Sequence, residues 1–337
     1  MKAAVWRGDR EFRLEQRSDP VPGANQVIVQ VEVSAICGSD LHLPEFGHPP
    51  PIVPGHEAAG TVVELGSAVT GLEAGARVTL DPVQRCGRCY SCTHGIEHLC
   101  LDTRHLGTRE TDGTWAEKVA VDARNVHRIP ERVSFTAAAL SEPAAVCYHS
   151  LQRSGLQPGE AVLVLGDGPF GFLHTQIAAA LGAGIVICAG HHDNRLERIG
   201  EQTGALICNT KRQSLAEVIA GKAPRSGVDL VVEATGSGSA PALGLEVLRP
   251  RGTLVVFGYI WEPKALNMGL IHMRELNVIG SCRSQHAFEP CLDMMARGRI
   301  DTETLVDLAV PLCDYQQALA RLREHKADTF KVVLIPG

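Results

Sequence analysis

The chain has 337 residues, 45% of them hydrophobic and 21% charged. It is too long for one ordinary core and too apolar for a disordered chain, so two domains are expected. A net charge of −6 without a basic block argues against a nucleic-acid partner, and no apolar run is long enough for a membrane span.

The opening MKAAVWRGDREF lacks the apolar core of a signal peptide, so the expected location is the cytoplasm. Eleven cysteines in such a chain point to metal binding and buried thiols rather than disulfides. Residues 1 to about 35 alternate apolar and polar side chains, most clearly over 26–33, as half-buried antiparallel strands do. Two loops follow, Cys37-Gly38-Ser39-Asp40-Leu41-His42 and Gly55-His56-Glu57, separated by a proline-rich piece. Thiolate, imidazole and carboxylate are the ligand types of a catalytic zinc with one open position. A single Cys by itself is more often an inert small hydrophobe. Strands are expected at 60–64 and 76–80, which makes the first part a small β-rich domain with its chemistry on loops.

Cys86, Cys89, Cys92 and Cys100 form two overlapping C-x-x-C units plus one more thiol. Four thiolates fill a tetrahedral ion and leave no open position, so the expectation is a structural zinc, with disulfides or free thiols as the alternative. His94 and His98 lie in the same loop as competing ligands. Residues 114–119 read as a strand and 134–150 as a helix capped by Ser134. Within that helix Glu142 precedes Pro143; it is either a third metal ligand or a solvated helix-end carboxylate.

From about residue 155 the pattern becomes α/β. The apolar run 161–165, a strand buried on both faces, leads into Gly166-Asp167-Gly168-Pro169-Phe170-Gly171 and a helix to 181. Those glycines permit a tight turn, approach of a pyrophosphate to the backbone, and close helix–strand packing; the helix N-terminus offers free N–H groups. A second strand at 185–189 completes the context a dinucleotide site requires. Strands at 228–232, 253–257 and 276–279 extend a doubly wound parallel sheet. A helix, two short strands including 331–335, and a helix over 315–325 close the chain.

With these motifs in order, the whole chain resembles the zinc-dependent medium-chain dehydrogenases, close to the sorbitol and threonine dehydrogenase branch. The resemblance implies a GroES-like catalytic domain (1–150 and 285–337) and an inserted Rossmann domain (151–284). It also implies one catalytic and one structural zinc and a homodimer or homotetramer, with an edge strand near 276–281 pairing across a twofold axis. Cys37 and His56 match the catalytic zinc ligands, Glu57 a carboxylate that can exchange onto the metal, and Glu142 a further ligand. Ser39 and His42 match a proton relay, and Cys86, Cys89, Cys92 and Cys100 the structural lobe. The implied chemistry is hydride transfer between an alcohol and a nicotinamide, zinc favouring the deprotonated hydroxyl. NAD-specific members carry an acid at the end of the second Rossmann strand. Here Gly190, His191 and His192 stand there, with Arg195 beyond, a set suited to a 2′-phosphate; the reading leans to NADP, with Asp193 able to restore NAD. The expected substrate is a secondary alcohol: a polyol, cyclitol or amino alcohol. A simple alcohol dehydrogenase and a catalytically silent nucleotide binder with structural zinc only are the alternatives.

Overall fold

The computed structural model describes residues 1–9, 11–108, 111–222 and 227–337. Its backbone divides into two compact units, Met1–Ala145 with Gln285–Gly337, and Val146–Ser284.

The first unit begins with the hairpin β1 (Lys2–Gly8) and β2 (Glu11–Gln16). It continues through β3 (Gln26–Ala35), β4 (Glu57–Leu65), β5 (Arg77–Leu80), the short β6 (Val83–Gln84), α1 (Tyr90–Thr93), β7 (Arg104–His105), β8 (Lys118–Asp122) and β9 (Val126–Arg128). Next come α2 (Phe135–Ala139) and α3 (Ser141–Ser154), where one helix was expected over 134–150. Ser134 does cap the first, accepting from Ala137 N–H at 3.0 Å. The helix breaks at Leu140, where the Ser141 hydroxyl donates to Ala138 O at 2.6 Å. The strand expected at 114–119 also moves, since Gly113, Thr114 and Trp115 spend their N–H groups on the loop Val53–Gly55, and the ladder starts at Lys118.

The second unit holds β10 (Ala161–Leu165), α4 (Pro169–Ala180), β11 (Ile185–Gly190), α5 (Asp193–Thr203), β12 (Leu206–Asn209), α6 (Leu215–Ala220), β13 (Val228–Glu233), α7 (Ala240–Val247), β14 (Leu248–Val256), α8 (Met268–Met273) and β15 (Asn277–Gly280). Its sheet, among the described residues, runs β12-β11-β10-β13-β14-β15 and is parallel throughout, with β10 wholly buried. This is the doubly wound order, strand sequence reversing beside β10. β12, at four residues too short to stand out in the sequence, forms the far edge. The chain then returns to the first unit with α9 (Phe288–Ala296), β16 (Val306–Pro311), α10 (Tyr315–Glu324) and β17 (Lys331–Ile335).

The main sheet of the first unit runs β16-β17-β3-β4-β5-β9, with β8 also on β3. Alternate residues Val27, Val29 and Val31 of β3 pack with Val62, Val78, Leu80, Val119 and Val121 in a buried cluster. Register decides where the chemistry falls. Ala35 at the end of β3 pairs with Glu57 at the start of β4 and with Val333 of β17, so the segments leading to Cys37, His56 and Lys331 meet at one end of the sheet. No helix among the described residues is long and apolar enough to cross a membrane.

Candidate active site

Cys37 ends the extended run of β3 and precedes a single 3₁₀ turn, Gly38–Leu41. Asp40 of that turn is 2% exposed and accepts twice: from Cys37 N–H through Oδ2 at 2.9 Å, and from Gly55 N–H through Oδ1 at 3.1 Å. One carboxylate thus ties the Cys37 loop to the His56 loop. Gly55 has φ +93°, and a Cβ there would lie 2.8 Å from Trp115 Nε1, so only glycine lets the loop pass beneath that indole. Trp115 and Thr114 return the contact through N–H bonds to Pro54 O and Gly55 O.

These constraints bring ligand atoms of Cys37, His56 and Glu57 within 4.8 Å of one another. The spacing and the N, S and O donor set fit one zinc ion. His56 is buried, its Nδ1 3.4 Å from Asp40 Oδ1 without hydrogen-bond geometry. Burial alone would lower this imidazole; the charges of Asp40 and Cys37 outweigh it and hold the ring well above its usual value. A ligated metal would replace that proton, since imidazole and thiol bind metals only when deprotonated. His105 packs edge-on to His56 with ring centroids 5.1 Å apart, and nothing in the sequence marked it as a neighbour.

Glu57, 0% exposed, gives both oxygens to Lys331 Nζ at 2.6 Å, and Lys331 is itself 3% exposed. Glu142 stands outside the three-residue group. It opens α3 beside Ser141, whose hydroxyl meets that of Thr79 at 2.9 Å, while Thr79 donates to Ala58 O. Burial pushes the Glu142 carboxyl up to about 7, His56 opposing the rise and the Glu57 carboxylate adding to it. Of the two relay candidates, Ser39 is half-buried and His42 exposed, with His42 Nδ1 3.7 Å from Glu45 Oε1. Their backbones bond, His42 N–H to Ser39 O at 3.0 Å, and their side chains do not.

Cys86, Cys89, Cys92 and Cys100 form a second group, with sulfur pairs 3.6–4.0 Å apart. N–H groups of Cys86, Cys89 and Leu101 point at the sulfurs of Cys100, Cys86 and Cys89. Such amides favour thiolates; those of Leu101 and Cys92 bring the Cys89 thiol down to about 6. His94 turns instead onto the Tyr90 ring and carbonyl, and all eleven cysteines are free.

In the second unit, Gly166 takes φ +127° and Gly168 caps α4, whose first residue is Pro169. A Cβ on Gly171 would lie 2.7 Å from the Gly166 carbonyl carbon and closer still to its oxygen, so helix and turn pack with no room for a side chain. Phe170 packs its ring 5.0 Å from that of Phe257. At the end of β11, His191 is exposed and His192 half-buried, while Arg195 is only 7% exposed, its Nη1 3.8 Å from Asp167 Oδ1. Asp193 is engaged by Asn209 and Arg212, each at 2.6 Å.

Known families and proteins match this chain along its length. The alcohol dehydrogenase GroES-like domain matches residues 23–131, and the zinc-binding dehydrogenase domain matches 169–297. A sorbitol dehydrogenase from Halalkalibacterium halodurans is 32% identical, the match covering 100% of this chain and 99% of that protein. Among solved structures, an alcohol dehydrogenase from Escherichia coli CFT073 complexed with NADH superposes with a TM-score of 0.94 at 28% identity, covering 99% of both chains. A zinc-binding dehydrogenase from Sinorhizobium meliloti bound to NADP does so with a TM-score of 0.90 at 31% identity, again over 99% of each.

Proposed function

Because the chain belongs to the zinc-dependent medium-chain dehydrogenase family, in its sorbitol dehydrogenase-like branch, we propose that it oxidises a secondary hydroxyl of a polyol, cyclitol or amino alcohol to the ketone. It is a zinc-dependent oxidoreductase that passes hydride between CH–OH and NAD(P). The observation that carries the substrate end is the convergence of Cys37, His56 and Glu57 under the Asp40 staple. Cys37 and His56 would hold the ion with Glu57 or Glu142, and a zinc there supplies Lewis acidity that eases loss of a hydroxyl proton. Ser39 Oγ accepts that proton as its own hydroxyl proton passes to a bridging water or hydroxyl, since its side chain does not touch that of His42, and His42, its imidazole 58% exposed, releases a proton to bulk water. Cys86, Cys89, Cys92 and Cys100 would hold a structural zinc, with no place left for substrate.

Gly166, Gly168, Pro169, Phe170 and Gly171 receive the nucleotide pyrophosphate at the start of α4, where unpaired N–H groups and the helix dipole favour an anion. Gly171→Ala forces turn and helix apart and should weaken NAD and NADP alike, by about tenfold or more, in calorimetric titration.

The eleven free cysteines support a reducing, cytoplasmic location. β15 ends its sheet as an edge strand with Val278 37% exposed, which supports pairing between copies. Gel filtration should return a dimer or tetramer, and a monomer at micromolar concentration would refute that assembly.

The activity itself is tested by reduction of NAD and NADP with polyols set against short primary alcohols. Faster turnover of short alcohols would replace the polyol reading. No turnover, with zinc only at the four-cysteine group, would leave a silent nucleotide binder.

A further inference from the structure

The end of β11 carries no acid of its own, yet a carboxylate is there. It comes from the neighbouring glycine-rich turn. Asp167 Oδ2 accepts from His191 N–H at 2.7 Å and His192 N–H at 2.8 Å. His192 turns its Nδ1 to the same carboxylate, 3.1 Å from Oδ2 and 3.2 Å from Oδ1, and Arg195 Nη1 lies 3.8 Å from Oδ1. Asp167 also fills the space a side chain at position 190 would use: a Cβ on Gly190 would sit within 2.5 Å of the Asp167 Cβ and Cγ. The glycine is therefore the counterpart of the aspartate, not a vacancy that invites a phosphate.

We infer that Asp167 takes over the role of the acid absent from β11, receiving the adenosine ribose hydroxyls and making this chain select NAD over NADP. The inference rests on the dehydrogenase reading above. A carboxylate has about four acceptor positions. The two backbone N–H groups occupy those of Oδ2, while Oδ1, with no donor closer than the 3.2 Å of His192, keeps capacity for a ribose hydroxyl. The groups that would greet a 2′-phosphate are already committed: the amides of His191 and His192, the His192 ring and the Arg195 guanidinium all face Asp167. A 2′-phosphate would bring roughly −1.5 to −2 charges against a carboxylate that its own N–H partners keep ionised. The side chains of β11 and α5 alone suggest NADP; the carboxylate reverses that choice.

NAD and NADP are titrated calorimetrically, without alcohol, onto the full-length wild type and onto Asp167→Asn and Asp167→Ala. The wild type should bind NAD about tenfold or more tightly than NADP, and both variants should lose most of that ratio. A merely structural role would weaken both nucleotides together and leave the ratio unchanged, and that result would overturn the inference. The wild-type ratio decides even if neither variant folds, because equal affinity or preference for NADP overturns it. A wild type that binds neither nucleotide would overturn the dehydrogenase reading as well, so the two failures are distinguishable.

Discussion

Cys37→Ala should cut alcohol-dependent nicotinamide reduction by about a thousandfold or more, to background, and lower bound zinc from two ions per chain to one. Cys37 is the only thiol in its group, where the other donors are an imidazole and a carboxylate already paired with Lys331. Removing the thiolate leaves His56 with one committed and one more distant carboxylate, too few strong ligands to retain zinc at a site that keeps a position open. Lewis acidity at such a centre is worth several kcal/mol in the transition state, which sets the size of the effect. The Cys86–Cys100 group shares no residue with this site, so its ion should remain, and Cys92→Ser should show the converse loss. Metal analysis beside a rate assay separates the cases. A Cys37→Ala protein that keeps two zinc ions and its rate would remove Cys37 from the site.

The features legible in the sequence are those whose partners are close in the chain. The four cysteines fall within fifteen positions, and a spacing rule is enough to group them. Strand, turn and helix from Ala161 to Ala180 are contiguous, and the buried apolar run with its glycines has few other foldings. Cys37 and His56 were identifiable as residue types, but their approach depends on β3 pairing with β4 and on Asp40 accepting from both loops. Lys331 lies 274 residues from Glu57 and opens an otherwise apolar strand, where a lysine reads as an exposed strand end. Asp167 stands at a position that the glycine motif leaves unspecified. Its contact with the end of β11 depends on β10 and β11 running in parallel with Leu165 beside Ala189, a register no local pattern specifies. The displaced strand at 114–119 has the same origin: the Trp115 segment is extended, but its N–H groups serve the His56 loop rather than a ladder.

Lys331→Met should destabilise the metal-depleted protein by about 3–5 kcal/mol, read from denaturant unfolding. Methionine conserves the length of the stem and removes the charge. Glu57 is then left as a wholly buried carboxylate whose two 2.6 Å bonds to Nζ are gone. Burial would lower the Lys331 ammonium, but the negative charges of the Glu57 carboxylate and the Cys37 thiolate raise it above its usual value, so the cation is firmly held in the native protein. The penalty belongs to the unpaired carboxylate rather than to lost packing. A Lys331→Met, Glu57→Gln double variant should therefore recover most of the loss, and a double variant as unstable as the single one would reject this account. Zinc supplies a second readout. With Lys331 gone, the Glu57 carboxylate is free to turn wholly to the ion beside Cys37 and His56, so added zinc should stabilise Lys331→Met by more than it stabilises the wild type. An equal gain in both proteins would mean that Lys331 holds Glu57 for structure alone and that Glu142 is the carboxylate completing the site.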